Sequence, residues 1–157
     1  MKAVVQRCAE ASVTADGKPA GKIGPGLMVL LGVCEGDTRE DAALMAKKIA
    51  NLRIFTDADG KMNCSVLQTG GSVLSVSNFT LCADIRKGTR PSFSGAMEPS
   101  HARELYLEFG RCLEAAGVPV AQGVFGADMQ ISLICDGPVT IQLDTDVWNK
   151  KKEQRSK

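Results

Sequence analysis

An unusual mixture of functional groups closes the apolar stretch that begins at Val73. Four consecutive residues supply two hydroxyls, an amide and an aromatic ring: Ser77, Asn78, Phe79 and Thr80. Such groups can bind a small substrate or stabilise an oxyanion, and the alternative is an edge strand with solvated polar side chains. Because a regular strand alternates its side chains between two faces, all four can serve one site only if the strand ends or twists there.

Thr80 is a candidate nucleophile, but the neighbouring sequence supplies no group to activate it. An internal threonine needs an adjacent base, and the chain has a single histidine, His101. A Ser-His-Asp or Cys-His arrangement would have to use that histidine, which we expect on the surface at the start of a helix. One histidine also excludes a histidine-rich metal site.

The six cysteines are dispersed along the chain, and none forms a C-x-x-C pair. A zinc site needs closely spaced ligand pairs, and the first seven residues are not typical of a secretory signal. The longest apolar run, 27–34, is too short to cross a bilayer. We therefore predict free, mostly buried thiols in a cytoplasmic protein with no metal, no cofactor and no membrane segment.

A cluster of cations follows the first motif. Arg86, Lys87 and Arg90 fall within five residues, beside glycine and proline. They could hold the phosphates of a nucleic acid, and the alternative is a solvated run of charges. The C-terminal segment 150–157 carries a charge of +4, which leaves −3 on the rest of the chain. A nucleic-acid partner would therefore meet local basic patches and not a globally basic surface.

The segment Asp136-Gly137-Pro138 is the third candidate. An X-Pro bond is the only common site of a cis peptide, and glycine before proline gives the backbone unusual freedom. The plainer interpretation is a tight turn that joins two antiparallel strands.

The periodicity of apolar residues predicts the elements that must position these segments. One helix is capped by Thr38, and a second runs over 100–116 and ends at Gly117. A run apolar on both faces, 27–33, predicts a strand covered on both sides. A turn lies at Asp16-Gly17 and a long loop covers 83–98. The other strands are predicted over 1–9, 12–14, 20–23, 73–81, 120–125, 129–135 and 139–143. This order predicts a single α+β domain over 1–147 and a basic, flexible tail over 148–157.

The three segments together, in this order and near these separations, resemble the D-aminoacyl-tRNA deacylase family. The family signatures are a Ser-Gln-Phe-Thr-Leu strand end and an Asn-x-Gly-Pro-x-Thr turn. The resemblance also covers Val5-Gln6-Arg7, Arg90-Pro91-Ser92-Phe93 and Ala127-Asp128-Met129-Gln130. Two positions depart from the pattern, because Asn78 replaces the glutamine and Cys135 replaces the first asparagine.

The resemblance implies a fold in which antiparallel and mixed sheets form a barrel-like β layer with two helices on one side. It also implies a homodimer that hydrolyses the ester of D-aminoacyl-tRNA, and of glycine mischarged on tRNA-Ala, without a cofactor. The active sites would lie at the subunit interface. There, a cis Gly137-Pro138 peptide would enter the partner subunit's site and reject L-amino acids through its carbonyl oxygens.

The resemblance assigns roles to individual residues as well. Ser77, Phe79 and Thr80 would bind the terminal adenosine and frame the oxyanion site. Arg7 would brace the Gly-Pro segment. The substrate pocket would further include Asn78, Phe125 and Met129, and the tRNA contacts would come from Arg86, Lys87 and Arg90.

Three other hypotheses stay open at this point. The related deacylases that remove L-alanine from the wrong tRNA have a trans Gly-Pro bond. A non-catalytic nucleic-acid-binding module would use the basic loop that contains Arg86, Lys87 and Arg90, together with the basic tail. Its binding to nucleic acid would weaken steeply with salt. A plain hydrolase with a Thr80 nucleophile would pass through an acyl-enzyme.

Overall fold

The computed structural model describes residues 1–148 of the chain. The strands are β1 Lys2–Ala15, β2 Lys18–Ile23, β3 Gly26–Gly32, β4 Phe55–Thr56, β5 Met62–Cys64, β6 Ser72–Ser77, β7 Val120–Gln122 and β8 Met129–Asp144. The helices are α1 Arg39–Ala50, α2 Val66–Thr69 and α3 Pro99–Ala115. A 3₁₀ turn, Phe79–Cys82, is named the motif turn below. The basic tail predicted over 148–157 lies, from residue 149 onward, outside the described residues.

β1 organises the sheet, because both of its edges are paired over most of their length. Along one edge it pairs with β3 through Lys2–Cys8 and with β2 through Ala11–Ala15, and along the other edge it pairs with β8. All these pairings are antiparallel, whereas β3–β6 and β6–β7 are parallel. The mixed sheet curls until β2 approaches β7, since a Cβ added at Gly21 would lie 3.2 Å from the Gln122 carbonyl oxygen. The predicted α+β class with a barrel-like β layer is confirmed.

Two cores follow from this curvature. One lies between the sheet and the helices α1 and α3, and its members include Val5, Leu27, Val29, Leu31, Met45, Ile49, Phe109 and Leu113. The other fills the inside of the curled sheet with Cys8, Ala11, Val13, Ile23, Met28, Leu74 and Val76. β3 contributes to both cores, as its doubly apolar pattern predicted. Burying one large apolar side chain contributes about 2 kcal/mol, so both cores stabilise the framework around the site.

The helices begin where their capping groups predict. The Thr38 hydroxyl oxygen accepts a hydrogen bond from the Asp41 amide, and the Asp41 carboxylate accepts one from Thr38 N, which is a complete capping box. α3 begins with Pro99 at its first position and Glu98 as its cap. His101 is exposed next to this helix start, as expected. Within residues 1–148, no helix is long and apolar enough to span a membrane.

The tight turn predicted at Gly137-Pro138 is wrong. The two segments that it was meant to join form one strand, β8, and both halves pair with β1 and not with each other. The register steps from Gln6↔Thr140 to Cys8↔Cys135, so residues 136–139 stand opposite the single residue Arg7. Alternation of apolar residues cannot distinguish a hairpin from one long strand with a wide bulge, because both have the same period. The segment 136–139 is named the β8 bulge below.

Candidate active site

The motif turn begins where β6 stops. The strand predicted over 73–81 ends at Ser77, and Asn78 caps the 3₁₀ turn that follows. Asn78 Oδ1 accepts hydrogen bonds from Thr80 N at 3.2 Å and from Thr80 Oγ1 at 2.5 Å. The Asn78 side chain thus accepts a hydrogen bond from the Thr80 amide, which has no partner in a neighbouring strand. This local bond stabilises a turn at the point where the strand ends. The turn removes the strict alternation that would have placed residues 77–80 on opposite faces of a strand.

A cavity of about 810 Å³ opens beside the motif turn. It brings together five of the residues that the sequence indicated, Ser77, Asn78, Phe79, Phe125 and Met129. The remaining wall is mainly apolar and includes Leu30, Leu31, Val33, Val76, Phe93, Met97 and Ile131. Thr80 is exposed and does not line this cavity, because its hydroxyl points to Asn78. The size and the mixed lining suit a small organic group held by a few polar contacts.

Aromatic rings shape two sides of the cavity. Phe79 is 58% exposed and meets Phe93 edge to face, with ring centroids 5.0 Å apart. Phe125 packs against Tyr106 at 5.8 Å, and the Tyr106 hydroxyl donates to the Ser75 carbonyl at 2.8 Å. Burial raises the pKa of Tyr106, so its hydroxyl stays protonated and keeps this bond. An exposed aromatic ring at a cavity rim offers a flat surface on which a nucleobase can stack.

The cavity contains little that could act as an acid or a base. Glu98 is the one ionisable residue in the lining among the residues that the structure describes. Its carboxylate accepts hydrogen bonds from the Ser100 hydroxyl and from the amides of Ser100 and His101 at the start of α3, and these bonds, led by the Ser100 hydroxyl, lower the pKa of Glu98. Glu98 is therefore ionised and engaged as a helix cap. Chemistry in this cavity would therefore rely on positioning and on hydrogen bonds to developing charge.

The β8 bulge is held by two adjacent side chains of β1, both buried. Arg7 Nε donates to the Asp136 carbonyl at 3.2 Å and pairs with Asp136 Oδ2 at 3.1 Å, while Nη1 donates to the Ile54 carbonyl at 2.6 Å. Gln6 Nε2 donates to the Val139 carbonyl at 3.1 Å, and Gln6 Oε1 accepts from Thr140 Oγ1 at 2.6 Å. Sequence reasoning missed the roles of Gln6 and Thr140, although both lie within the quoted motifs.

The centre of the β8 bulge is exposed backbone. The Gly137-Pro138 peptide is cis, and Gly137 has a φ of +122°. A Cβ at Gly137 would lie 3.1 Å from Arg7 Nη2 and 2.9 Å from Val139 N, so the bulge admits only glycine without rearrangement. Gly137 and Pro138 do not line the cavity of their own chain. Within one subunit, the bulge and the cavity are therefore separate features.

The basic loop is more ordered than a solvated charge run. Asp84 and Ser92 exchange two backbone hydrogen bonds, of 2.8 and 2.9 Å, which close the segment 84–92 into a hairpin-like loop. Arg86 pairs with both carboxylate oxygens of Asp84, and this contact lowers the pKa of Asp84 to about 2. Lys87 and Arg90 are exposed. Asp84 therefore neutralises part of the positive charge that the sequence indicated.

No metal centre is found in the described part of the chain, where no three ligand-type side chains come together. The cysteines of residues 1–148 are all free thiols. Their burial varies from fully buried Cys8 to exposed Cys135, so the predicted mostly buried thiols are only partly confirmed.

Comparison with known proteins gives consistent matches over almost the whole chain. The family model described as D-Tyr-tRNA(Tyr) deacylase matches residues 4–144. A D-aminoacyl-tRNA deacylase of Deinococcus radiodurans is 56% identical over 144 residues, which cover 92% of this chain and 99% of the relative. One of Chloroflexus aurantiacus is 57% identical over 145 residues, which cover 92% and 91%.

Solved structures give the same picture of the fold. The c-Myc DNA Unwinding Element Binding Protein superposes with a TM-score of 0.87 at 43% identity, covering 92% of this chain and 98% of its own. A probable eukaryotic D-amino acid tRNA deacylase superposes with a TM-score of 0.77 at 18% identity, covering 91% and 98%, and supports the fold alone. With the family model and the two close relatives, this chain belongs to the D-aminoacyl-tRNA deacylase family of hydrolases.

Proposed function

We propose that this protein hydrolyses the ester bond of D-aminoacyl-tRNA, and of glycine mischarged on tRNA-Ala, and releases the amino acid and the tRNA. One observation carries the proposal. A rigidly braced, exposed backbone segment, the β8 bulge, occurs in the same chain as a cavity lined by Ser77, Asn78 and Phe79. In a homodimer, the bulge of one subunit enters the cavity of the other and completes the site.

The reaction needs no strong nucleophile from the protein. An aminoacyl ester is already activated, so orientation of a water molecule and hydrogen bonds to the oxyanion lower the barrier enough. The terminal adenosine stacks near Phe79, and Ser77 and Thr80 frame the reacting carbonyl together with backbone amides of the motif turn. The neighbouring 2′-hydroxyl of the substrate assists the attack. A site without a free acid–base pair is compatible with this chemistry.

Selection of handedness comes from exclusion. The carbonyl oxygens of Gly137 and Pro138 point at the substrate α-carbon and leave no space for an L side chain, whereas a D side chain or the hydrogen of glycine fits. Backbone suits this task because it cannot rotate away as a side chain can. Arg7 and Gln6 keep the segment in place, and Phe125 and Met129 complete the wall around the amino acid.

The tRNA body lies along the basic loop. Lys87 and Arg90 contact phosphates directly, and Arg86 does so while it remains paired with Asp84. We further propose that residues 1–147 act as one domain, that 148–157 is a basic tail and that the protein works in the cytoplasm, where charged tRNA is found.

The decisive experiment compares D-Tyr-tRNA, L-Tyr-tRNA and Gly-tRNA-Ala as substrates. We expect hydrolysis of the D ester to be at least about 100-fold faster than that of the L ester, with the glycine ester also cleaved. Equal rates for the D and L esters, or no cleavage of any of them, would contradict the proposal. Preferential cleavage of an L-alanyl ester would instead indicate the related L-alanine deacylases.

A second candidate, nucleic-acid binding without hydrolysis, is favoured by the name of the structural relative at 43% identity, a DNA unwinding element binding protein. It predicts binding to uncharged nucleic acid with a steep salt dependence and no release of amino acid from any ester. The acidic body and the few aromatic residues disfavour an extended base-stacking surface.

A further inference from the structure

Two thiols meet directly beside the motif turn. The sulfur atoms of Cys34 and Cys82 lie 2.8 Å apart, and both residues are free cysteines. The other cysteines within residues 1–148 form no sulfur–sulfur hydrogen bond. Cys8 and Cys135 are cross-strand neighbours in β1 and β8, yet one is buried and the other exposed. Proximity in the sheet is therefore not enough to bring two sulfur atoms into contact, and the Cys34–Cys82 pair is a specific arrangement.

The pair joins the segments that shape the cavity. Cys82 is the last residue of the motif turn, two residues after Thr80. Cys34 follows β3 and pairs with Ala96 in an isolated bridge, next to the hydrogen bond from Glu35 N to the Gly95 carbonyl at 2.9 Å. The turn is also packed tightly against the end of β3, because a Cβ at Gly32 would lie 2.9 Å from Leu81 Cβ. A covalent bond between the sulfur atoms would connect the motif turn, β3 and the loop that lines the cavity.

We propose that Cys34 and Cys82 form a reversible disulfide when the protein meets a hydroperoxide, and that this disulfide fixes the motif turn to the end of β3. The Cys34–Cys82 pair is thus a site of covalent modification. The proposal does not depend on the hydrolytic function proposed above. Its ligand class is hydrogen peroxide or a small organic hydroperoxide, and its return to the reduced state needs a dithiol or a reduced thiol.

The chemistry takes two steps. The Cys82 thiolate attacks one oxygen of hydrogen peroxide, so that an S–O bond forms, the O–O bond breaks and the leaving hydroxide takes up the proton that the Cys82 thiol released, which gives the first water. The sulfur loses two electrons and the peroxide gains them. The Cys34 sulfur then attacks the sulfenic sulfur, so that the S–S bond forms and the S–O bond breaks. The departing hydroxide takes the remaining thiol proton, and in total two thiols and one peroxide give one disulfide and two waters.

The surroundings favour Cys82 as the first sulfur to react. The hydrogen bond between the two thiols lowers the pKa of Cys82, with a further contribution from the charge of Lys2. The same contact and burial raise the pKa of Cys34. Cys82 is 6% exposed and Cys34 is half-buried. A small peroxide can approach this pair more easily than a large alkylating reagent can.

The test begins with the unmodified protein. It is treated with one equivalent of hydrogen peroxide, its remaining thiols are alkylated, and it is digested with trypsin and chymotrypsin. Chymotrypsin cuts after Phe79 and so separates Cys82 from Cys64. We expect an intact mass lower by about 2 Da before alkylation and a cross-link between the peptides that contain Cys34 and Cys82, both reversed by dithiothreitol. Hydrogen exchange of the amides of 78–83 should slow several-fold in the oxidised protein.

Variants then separate the roles of the two sulfur atoms. Cys34→Ser should leave Cys82 as a sulfenic acid that dimedone traps, whereas Cys82→Ser should leave Cys34 unlabelled. The matched control is Cys112→Ser, which removes another half-buried thiol and should cross-link as the parent does. Absence of the cross-link, or a link that involves Cys8 or Cys135 instead, would overturn the proposal. A correct link with unchanged exchange at 78–83 would overturn the claim that the disulfide fixes the motif turn.

Discussion

At the scale of single residues, the hydroxyl of Thr80 is already engaged in a way that does not suit a nucleophile. Thr80 Oγ1 donates its proton to Asn78 Oδ1 at 2.5 Å, and an amide oxygen cannot accept that proton permanently. The single histidine is exposed at the start of α3 and pairs with Glu98. We therefore expect Thr80 to have a positioning role in the motif turn rather than a covalent role.

The substitution Thr80→Val tests this interpretation. It keeps the shape of the side chain and removes the hydrogen bond to Asn78, so we expect kcat for D-Tyr-tRNA to fall only about tenfold, the value of one hydrogen bond. Thr80→Ser retains the hydroxyl and should stay close to the parent. A loss of kcat by about four orders of magnitude in the valine variant, or an acyl-enzyme seen by mass spectrometry, would instead identify Thr80 as the nucleophile.

Arg7 is the residue whose loss should affect both stability and selectivity. Replacing it by methionine fills the same buried space but leaves the carbonyl oxygens of Ile54 and Asp136 without their donor. We expect the free energy of unfolding in urea to fall by about 2 kcal/mol, because charged hydrogen bonds are lost in a buried place. We also expect the ratio of D to L ester cleavage to decrease, since the β8 bulge then keeps only the contacts of Gln6.

The matched control is Arg111→Gln on α3. Arg111 pairs with Glu108 at 2.6 Å, but this pair is exposed to water and holds no backbone in place. It should unfold at the same urea concentration as the parent and retain its selectivity. If Arg7→Met keeps the full D over L ratio, then the bracing of the bulge does not determine handedness.

At the scale of elements, the parallel pairing of β3 with β6 positions the motif turn, which follows β6 directly. Gly26 starts β3 opposite Ser72 of β6, and a Cβ there would lie 1.9 Å from the Ser72 carbonyl oxygen. No rotation of a side chain can relieve this contact, because both atoms belong to backbone or to Cβ. The pairing of β3 with β6 at this end therefore requires glycine at position 26.

The substitution Gly26→Ala should destabilise the protein by about 3 kcal/mol or prevent folding, as forced overpacking against backbone does. The control is Gly24→Ala, two residues earlier, where nothing lies within 4 Å of the added methyl. Thermal unfolding followed by circular dichroism compares the two variants. Equal unfolding temperatures would show that β3 and β6 can separate without cost at this end.

At the scale of the whole molecule, the bulge and the cavity lie in one chain but do not meet within it. If the bulge of each subunit enters the cavity of the other, two chains with different defects should restore activity when they form a mixed dimer. We would combine Gly137→Val, which is crowded by Arg7 and Val139, with Phe79→Ala, which removes the ring at the cavity rim. Each variant alone should lack selective hydrolysis.

After unfolding and refolding of an equal mixture, half of the dimers contain one chain of each kind. Each mixed dimer has one site in which both the bulge and the cavity are intact, so about a quarter of the parent activity should return. Each variant, unfolded and refolded alone, serves as the control. If the mixture shows no activity, while both variants still form dimers in analytical ultracentrifugation, the bulge does not act across the subunit interface.

Local sequence determined much of this protein. The alternation and doubly apolar runs specified most strands, Thr38 and Gly117 marked helix ends, and the mixture of side chains at 77–80 indicated three residues that line the cavity. These features depend on neighbours along the chain, so the sequence alone contains them. Asn78 also ends β6, because its side-chain amide oxygen accepts the hydrogen bond that a strand partner would otherwise accept. The predicted strand nevertheless extended to residue 81.

Tertiary structure decided what depends on distant partners. Whether 129–144 folds back as a hairpin or continues past a bulge depends on β1, which pairs with both halves and supplies Gln6 and Arg7 to hold the residues between them. The cavity needs side chains from β3, β6 and the segments after α3, and the thiol pair needs residues 34 and 82 to meet. Such contacts join residues far apart in sequence, and no local period or motif encodes the distance between them.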